Sequence, residues 1–419
     1  MASGSLVAGL DIGTTKVCAV IGERTESGGL EITGVGISPS TGMRRGGVVN
    51  IEATLRSVAA AVEAAEMMSG QDIRDCWTGI GGSHIEGINS RGVVAVTGKN
   101  RETREIGPDD LARVLEAARA IPVPMDRQVL EVIPQSYIVD NQKGIRDPLD
   151  MIGVRLEAEV HIITCSVTSA QNLVKCVNRA GFKVNDLILR SLAAGRAVLT
   201  EEEKELGVAL IDLGGGTTEV MVYSQGSPYS TATVPAGGFE VTRDLSYIKN
   251  ISTETAERIK LEAGCCWEEF LEGDDDIIVP GVAGRAPLPI PRSQILEIIR
   301  PRMEEIFTMI RDRLDKLALY RPLGGGIVLT GGGAQLRGAP ELASYIFKLP
   351  VRVGYPLPLG GLVEEYRSPI YATAVGLVLE GDERERRQGP ERGGEAYVRE
   401  KGRESLKDKL FGWIKREFF

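Results

Sequence analysis

Two short segments of the sequence contain the residue types that bind phosphate groups. Those residues are Asp11, Gly13, Thr14, Thr15 and Lys16 in the first segment, and Asp212, Gly214, Gly215, Gly216, Thr217 and Thr218 in the second. Glycines let backbone N–H groups approach phosphate oxygens closely, and threonine hydroxyls and a lysine supply further donors. An aspartate at a strand end can hold Mg²⁺ through its water ligands. Each segment could therefore hold nucleotide phosphates together with a metal ion.

The surroundings of the two segments are also alike. Apolar residues flank each one, at 6–10 and 17–21 for the first segment and at 208–211 and 220–223 for the second. Each should form a β-hairpin whose turn carries the glycines. A single copy could equally be an ordinary hairpin turn stabilised by a local aspartate hydrogen bond. Two copies in matching positions favour a repeated phosphate-binding loop.

A third glycine cluster follows the apolar residues 327–329. It consists of Gly331, Gly332 and Gly333, and a helix is predicted shortly after it, over residues 340–347. Bare backbone at such a turn suits an adenine base or the α-phosphate. The cluster is weak evidence by itself and gains weight beside the other two. The sequence has no GxxxxGK[ST] motif and no GxGxxG after a first strand, which argues against a P-loop or dinucleotide-binding protein.

With DIGTTK at residues 11–16, DLGGGTT at 212–218 and LTGGGA at 329–334, the sequence resembles the actin, Hsp70 and sugar-kinase superfamily. The resemblance implies an α/β, actin-like (ribonuclease H-like) fold: two lobes with duplicated mixed sheets flanked by helices, plus an inserted small α+β subdomain. It also implies ATP and Mg²⁺ as cofactors, with Asp11 and Asp212 near the ion. Glu257 and Lys260 resemble a pair that reaches the ribose and adenine, although a solvent-exposed ion pair is the alternative.

Further segments resemble the FtsA family of bacterial cell-division proteins. They are VIPQSY (132–137), GIRDP (144–148), GVRLEAEVH (153–161), ELG (205–207) and YATAVGL (371–377). The resemblance extends over nearly the whole chain apart from residues 381–404. It implies a protein that forms actin-like filaments on the cytoplasmic face of the inner membrane at the division site, anchors FtsZ filaments there and recruits other division proteins.

The resemblance also implies a division of the chain. We expect the first lobe at 1–83, an inserted subdomain at 84–163, more of the first lobe at 164–205, the core of the second lobe at 206–245, its outer FtsZ-binding subdomain at 246–320, the second-lobe core again at 321–348, a return to the first lobe at 349–380, a disordered charged linker at 381–404 and an amphipathic membrane-targeting helix at 405–419.

The outer subdomain carries the residues expected to receive the C-terminal peptide of FtsZ. By resemblance these are Arg292, Arg302 and Glu305, of which the last two share one face of a helix predicted over residues 294–320. An acidic peptide would require such arginines. For each residue taken alone, a solvated charged face is a nearly equal alternative.

Residues 405–419 have the sequence pattern of an interfacial helix. Residues 381–404 are rich in Arg, Glu and Gly, whereas helical spacing in 405–419 places large apolar residues together beside lysines and an arginine. Membrane contact is assigned to Leu406, Leu410, Phe411, Trp413, Ile414 and Phe418. The alternative is a helix that docks on the protein's own body, which the long charged linker disfavours.

The overall charge and composition exclude several classes of protein. A net charge of −9 argues against nucleic acid as the main partner, and no run of 18 apolar residues could span a bilayer. The two histidines and six cysteines lack the spacing of a metal site.

The rival functions are a small-molecule kinase and an actin-like pilus-assembly protein. No general base for a kinase can be identified, so catalytic residues are left unassigned and at most slow ATP hydrolysis is expected.

Overall fold

The structure is a computed structural model of the chain, and it describes residues 5–96, 103–271, 273, 275–279, 287–318, 323–361 and 363–388. Two five-stranded sheets form the centres of two lobes, and a four-stranded sheet forms an inserted domain. No helix within the described residues is long and apolar enough to cross a membrane.

The first half of the chain builds the first lobe and the insertion. Before the insertion lie β1 (Leu6–Ile12), β2 (Lys16–Arg24), β3 (Leu30–Pro39), β4 (Met43–Arg44), β5 (Gly47–Val48), α1 (Ile51–Ser69) and β6 (Asp75–Ile80). The insertion contains β7 (Glu86–Ala95), β8 (Arg104–Glu105), α2 (Pro108–Arg119), β9 (Arg127–Val139), β10 (Gln142–Ile145), β11 (Ile152–Gly153) and β12 (Arg155–Ser166). After it come α3 (Val167–Arg179), β13 (Lys183–Leu189), α4 (Arg190–Val198) and α5 (Glu201–Leu206).

The second half builds the second lobe and ends on the first. Its elements are β14 (Val208–Leu213), β15 (Thr218–Ser224), β16 (Ser227–Val234), α6 (Gly238–Lys249), α7 (Thr253–Ala263), β17 (Asp276–Val279), β18 (Leu288–Pro291), α8 (Arg292–Ala318), β19 (Ile327–Thr330), α9 (Ala339–Phe347), β20 (Val351–Val353) and α10 (Ala372–Gln388). Several short 3₁₀ turns connect them, one of which spans Gly332–Gln335 directly after β19.

The two large sheets have the same topology. The strand order is β13-β6-β1-β2-β3 in the first lobe and β16-β15-β14-β19-β20 in the second. In each sheet three consecutive antiparallel strands are followed, on the far side of the first strand, by two parallel ones. The expected duplication of a mixed sheet is confirmed. As a result, the β1–β2 turn and the β14–β15 turn occupy equivalent positions.

Both sheets are covered by helices, which explains why their central strands read as apolar runs rather than as alternating patterns. Every residue of β14 is buried, and β1 is buried from Val7 onward. Helix α10 packs against α4 and β1 and therefore belongs to the first lobe. Helix α10 and β1 can approach closely because Gly9 has no side chain. A β-carbon at Gly9 would lie only 2.7 Å from the carbonyl oxygen of Ala374.

The insertion is a small domain with a core of its own. Its sheet has the order β10-β9-β12-β7, and α2 covers it with Leu111, Val114 and Leu115. It also contacts the edge strand β16 of the second lobe, where His161 lies 2.9 Å from the Thr231 hydroxyl. Burial lowers the pKa of His161 to about 4, so the ring is neutral at physiological pH. The insertion is therefore seated on both lobes.

The predicted linker begins too early in the sequence. Residues 381–388 belong to α10, and residues 389–404 of the predicted linker lie outside the described part of the chain. Arg384 is buried and forms ion pairs with Glu131, with Asp186 at 3.5 Å and with Glu380 at 2.9 Å. A composition rich in Arg and Glu indicates disorder only when the charges remain in water. Here the charge of Arg384 is compensated by carboxylates of the insertion, of the first lobe and of the preceding turn of α10.

The predicted return to the first lobe at residue 349 also comes too early. Strand β20 pairs in parallel with β19 and completes the sheet of the second lobe. The chain crosses to the first lobe after β20, through the segment that leads to α10. The short strand could not be recognised from its three residues, because its partner is set by tertiary pairing rather than by a local pattern.

Candidate functional site

The turns of the two hairpins have the same internal geometry. Gly13 donates its backbone N–H to the carbonyl of Lys16 over 2.9 Å, and Gly214 donates to the carbonyl of Thr217 over 3.1 Å. In both turns a β-carbon on the glycine would lie 2.8 Å from that carbonyl oxygen. Any side chain would therefore open the turn, and the repeat seen in the sequence is also a repeat of backbone structure.

The two turns come from different lobes and touch each other. A β-carbon on Gly216 would lie 2.6 Å from the hydroxyl oxygen of Thr14, and one on Gly215 would collide with the side chain of Thr15. Because glycine has no side chain, the threonines of the first loop can rest directly on the backbone of the second. The two predicted phosphate loops therefore line one cleft between the lobes.

Carboxyl groups from both lobes lie buried behind these loops. A carboxylate oxygen of Asp11 lies 3.0 Å from Nε of Arg190, and Asp212 accepts a hydrogen bond from the Thr373 hydroxyl at 3.2 Å. Glu219, on β15, lies 3.9 Å from Nη1 of Arg190. All of these residues are buried. Two strand ends and two helix starts thus bring acidic groups and one arginine into a single cluster.

The cluster perturbs the protonation of its members. Burial raises the pKa of Asp212, an effect opposed by Arg190 and reinforced by Asp11. Burial likewise raises the pKa of Glu219 to about 7, again against the influence of Arg190. Burial alone would lower the pKa of Arg190, but the carboxylates of Asp11, Glu219 and Asp212 outweigh it and raise that pKa. Perturbed groups in a cleft are typical of functional sites.

The third glycine cluster adjoins the second loop. Strand β19 pairs with β14 so that Thr330 lies beside Asp212, and the chain then turns at Gly331 with a φ of 80°. A β-carbon on Gly331 would collide with the Asp212 carboxylate, and one on Gly333 would lie 2.8 Å from Cβ of Leu213. Gly332, in contrast, has open space except for Ile370 at 3.7 Å. The structure thus brings all three glycine-rich segments together.

Two of the predicted phosphate donors are engaged with protein groups. Lys16 donates its ammonium to the carbonyl of Ile370 and lies 5.2 Å from the centre of the Tyr371 ring. Thr218 donates its hydroxyl to the carbonyl of Ala236 at 2.8 Å. Lys16 is only partly buried. Thr218 is fully buried, and its hydroxyl stabilises the fold of the second lobe.

Comparisons with known proteins identify the family. The model described as "Cell division protein FtsA" matches residues 209–376, and the one described as "SHS2 domain inserted in FTSA" matches residues 82–164. The cell division protein FtsA of Pseudomonas aeruginosa is 42% identical over 417 residues, 99% of both chains, and that of Borreliella burgdorferi is 44% identical over 418 residues, 100% of both chains. The chain belongs to the FtsA family.

Solved structures share the fold at much lower identity. The PilM–PilN type IV pilus biogenesis complex gives a TM-score of 0.65 at 17% identity, covering 90% of this chain and 98% of the other. MreB 5 of Spiroplasma citri bound to AMPPNP gives 0.51 at 16% identity, covering 90% and 94%. These likenesses concern the fold alone, and the expected actin-like fold is confirmed. Membership of the FtsA family replaces the kinase and pilus-assembly alternatives.

In this FtsA-family chain, Glu257 and Lys260 form an ion pair of 2.8 Å on α7. Lys260 also donates to the Thr242 hydroxyl at 3.0 Å and to the carbonyl of Gly238 at 3.2 Å. The backbone N–H of Gly238 in turn donates to Gly214 in the second loop at 2.9 Å. The pair is therefore linked to the cleft through α6 and differs from an isolated surface ion pair.

The residues expected to bind the FtsZ peptide lie on α8. Arg302 contacts Asp244 at 2.6 Å and also pairs with Glu305, whereas Arg292 is the first residue of the helix. Ten residues separate the two arginines, which is about 15 Å along a helix. The side chains predicted to enter the membrane, from Leu406 to Phe418, lie outside the described residues.

Sequence reasoning missed three members of the site: Arg190, Glu219 and Thr373. Glu219 follows the second loop directly, so its position beyond Thr218 was a usable signal. Arg190 and Thr373 are the early residues of α4 and α10, far from either loop in sequence. Only the packing of those helices on the first sheet brings them to Asp11 and Asp212, and no local pattern indicates it.

The raised pKa of Glu219 predicts a pH dependence of stability. The native protein retains a proton on Glu219 between pH 4.5 and about 7 that the unfolded chain releases, so the free energy of unfolding falls as pH rises through this window. Replacing it by the neutral isostere in Glu219→Gln should therefore stabilise the nucleotide-free protein more at pH 8 than at pH 5, by up to about 3 kcal/mol.

Urea denaturation at the two pH values, without Mg²⁺, measures this difference. The exposed Glu202→Gln is the matched control and should show little change between them. An equal effect of Glu219→Gln at both pH values would contradict the assignment of a buried, destabilised carboxylate.

Proposed function

We propose that this chain binds ATP with Mg²⁺ in the cleft between its two lobes. The observation that carries the proposal is the contact between the two glycine-rich loops, with Asp11 and Asp212 buried behind them. The residue types fit a triphosphate, since both loops combine glycines with threonines and the first adds the cation of Lys16. Bound Mg²⁺ would supply the positive charge that neutralises phosphate oxygens, while the two aspartates accept hydrogen bonds from its water ligands.

Each segment of the cleft has a proposed part in holding the nucleotide. The backbone N–H groups that follow Gly13 and Gly214 in the two turns would donate to phosphate oxygens, and Lys16 would exchange the Ile370 carbonyl for a phosphate. The turn at residues 331–333 would lie under the adenosine, with Glu257 and Lys260 on its far side. The related fold of MreB 5, whose solved structure is bound to AMPPNP, supports nucleotide binding by this fold.

At the level of the cell, the proposed role is that of an actin-like division protein on the cytoplasmic face of the inner membrane. The chain would form filaments there, anchor FtsZ through its outer subdomain and recruit other division proteins through the insertion. Support comes from membership of the FtsA family and from the amphipathic pattern of residues 405–419. Each large apolar residue that enters the lipid contributes roughly 1.5–3 kcal/mol, and each nearby Lys or Arg adds about 1 kcal/mol on anionic lipid.

The proposed FtsZ site depends on arginines that already have partners. Arg302 is held by Asp244 and Glu305, so an incoming acidic peptide would compete with these carboxylates for the guanidinium. Such exchange costs little at a site that is about one-third exposed, because surface ion pairs contribute only about 0–1 kcal/mol. Arg292, at the start of the same helix, would contact a second acidic position of the peptide.

The nucleotide site can be tested with a single added methyl group. In Gly216→Ala the new β-carbon would meet Thr14 and force the loops apart, so ATP affinity in the presence of Mg²⁺ should fall at least about tenfold, or about 1.4 kcal/mol. Gly107→Ala is the matched control, because a β-carbon there meets nothing within 4 Å. Isothermal titration calorimetry measures both. Equal affinities of two folded variants would contradict the proposed position of the phosphates.

The membrane and FtsZ roles can be separated in one flotation experiment. The intact chain should float with anionic liposomes and carry the FtsZ C-terminal peptide with it, whereas a chain ending at residue 404 should do neither. Trp413→Glu should also fail to float, while Asp408→Asn, opposite the apolar residues of the predicted helix, should float normally. Arg302→Glu should float without carrying the peptide.

Lipid binding that survives truncation would contradict the anchoring role, and peptide carried by Arg302→Glu would contradict the α8 site.

A further inference from the structure

One arginine lies among the three carboxyl groups behind the proposed phosphate loops. Arg190 contacts Asp11 at 3.0 Å through Nε and approaches Glu219 at 3.9 Å through Nη1, and it is only 8% exposed. The end of β6 leaves room for it: a β-carbon on Gly79 would lie 3.0 Å from Cγ of Arg190, and one on Gly81 would lie 2.9 Å from Cδ. The fold therefore provides a fitted channel for this side chain.

The other charged groups around the cluster are held differently. Asp212 is hydrogen-bonded by Thr373, and the ammonium of Lys16 points to the carbonyl of Ile370 at the mouth of the cleft. Among the described residues, Arg190 is thus the cation within ion-pair distance of Asp11 and Glu219. It enters from the first turn of α4, and its guanidinium cannot lose its proton in a protein.

A fixed cation at this position changes what a triphosphate meets in the cleft. Without it, three carboxyl groups would repel the phosphates, and a divalent cation would have to compensate nearly all of that repulsion. With it, part of the compensation is built into the protein. The stem of the arginine lies against the end of β6, and its Nη2 comes within 3.8 Å of the position that a β-carbon on Gly13 of the first loop would take.

We propose that Arg190 is a positioning residue that acts as an internal counter-charge for Asp11 and Glu219, so that the cleft can accept a nucleotide triphosphate with a weakened requirement for a divalent cation. This inference rests on the proposed nucleotide site and specifies how its metal dependence is set. The quantity that reports it is the ratio of the ATP dissociation constant in EDTA to that in Mg²⁺.

The test compares Arg190→Gln with the wild type in the full chain at pH 8. The ratio of dissociation constants should rise at least tenfold in Arg190→Gln, and Arg190→Lys, which keeps the charge, should stay near the wild type. Arg196→Gln is the matched control, since Arg196 lies on the same helix but pairs with Glu383 at the surface. A general loosening of the site would weaken binding equally with and without Mg²⁺, and an unchanged ratio in Arg190→Gln would overturn the proposal.

A second pair of variants keeps the test decisive if Arg190→Gln does not fold. Glu219→Gln removes one negative charge from the cluster, and its ratio should fall below that of the wild type. The double variant Arg190→Gln with Glu219→Gln restores the original sum of charges, and its ratio should return to the wild-type value. Identical ratios in Glu219→Gln and the double variant would overturn the proposal.

Failure of this inference can be distinguished from failure of the proposed function. If the wild type binds ATP neither in Mg²⁺ nor in EDTA, the nucleotide site itself is refuted. If it binds ATP and the ratios do not follow the charge of the cluster, nucleotide binding stands and the role of Arg190 is refuted.

Discussion

Asp11 and Asp212 approach each other from two lobes inside a buried cleft, and that approach costs free energy. Like charges repel strongly once water is excluded, and burial of each carboxylate adds its own penalty. The structure compensates with the guanidinium of Arg190, the hydroxyl of Thr373 and turns tight enough for the loops to touch. A protein maintains such a costly arrangement at a functional site, and the proposed ligand, a magnesium triphosphate, would bring the positive charge that these carboxylates favour.

The duplicated topology explains how the arrangement arises. The two lobes have separate sheets of the same topology, and each places a β-hairpin at the same position of its own sheet. Two copies of one turn therefore face each other when the lobes pack together. Helices α4, which follows β13, and α10 begin at this cleft and supply Arg190 and Thr373. Helix α10 thus contributes to both lobes, because it covers the first sheet while the hydroxyl of Thr373, its second residue, donates to Asp212 of the second.

The parts of the fold that depend on local chemistry could be predicted from the sequence. The glycines of both turns, the apolar strands beside them and the third cluster at residues 331–333 were all located correctly, since each turn requires glycine for reasons that lie within a few residues. The family resemblance supplied the order of the lobes and the insertion. Local pattern alone would not have given either, because connectivity between distant strands leaves little trace in a single sequence.

The errors and omissions have a common physical origin in tertiary contacts. Residues 381–388 resemble a disordered linker in composition, yet Arg384 is buried against Glu131 and extends α10. Strand β20 is too short to be recognised without its partner β19. Arg190 is an ordinary residue at the start of a helix until β6 and β1 surround it. Likewise, Arg302 looks free in the sequence but is held by Asp244, which lies on a different helix.

Backbone hydrogen exchange with and without ATP and Mg²⁺ tests the central claim most directly, because it reports on both loops in one experiment. The account predicts that the nucleotide slows exchange at residues 12–16 and at residues 213–217 together, with further protection at residues 331–333. Protection of one loop without the other, or of neither, would contradict a single site shared by the two lobes.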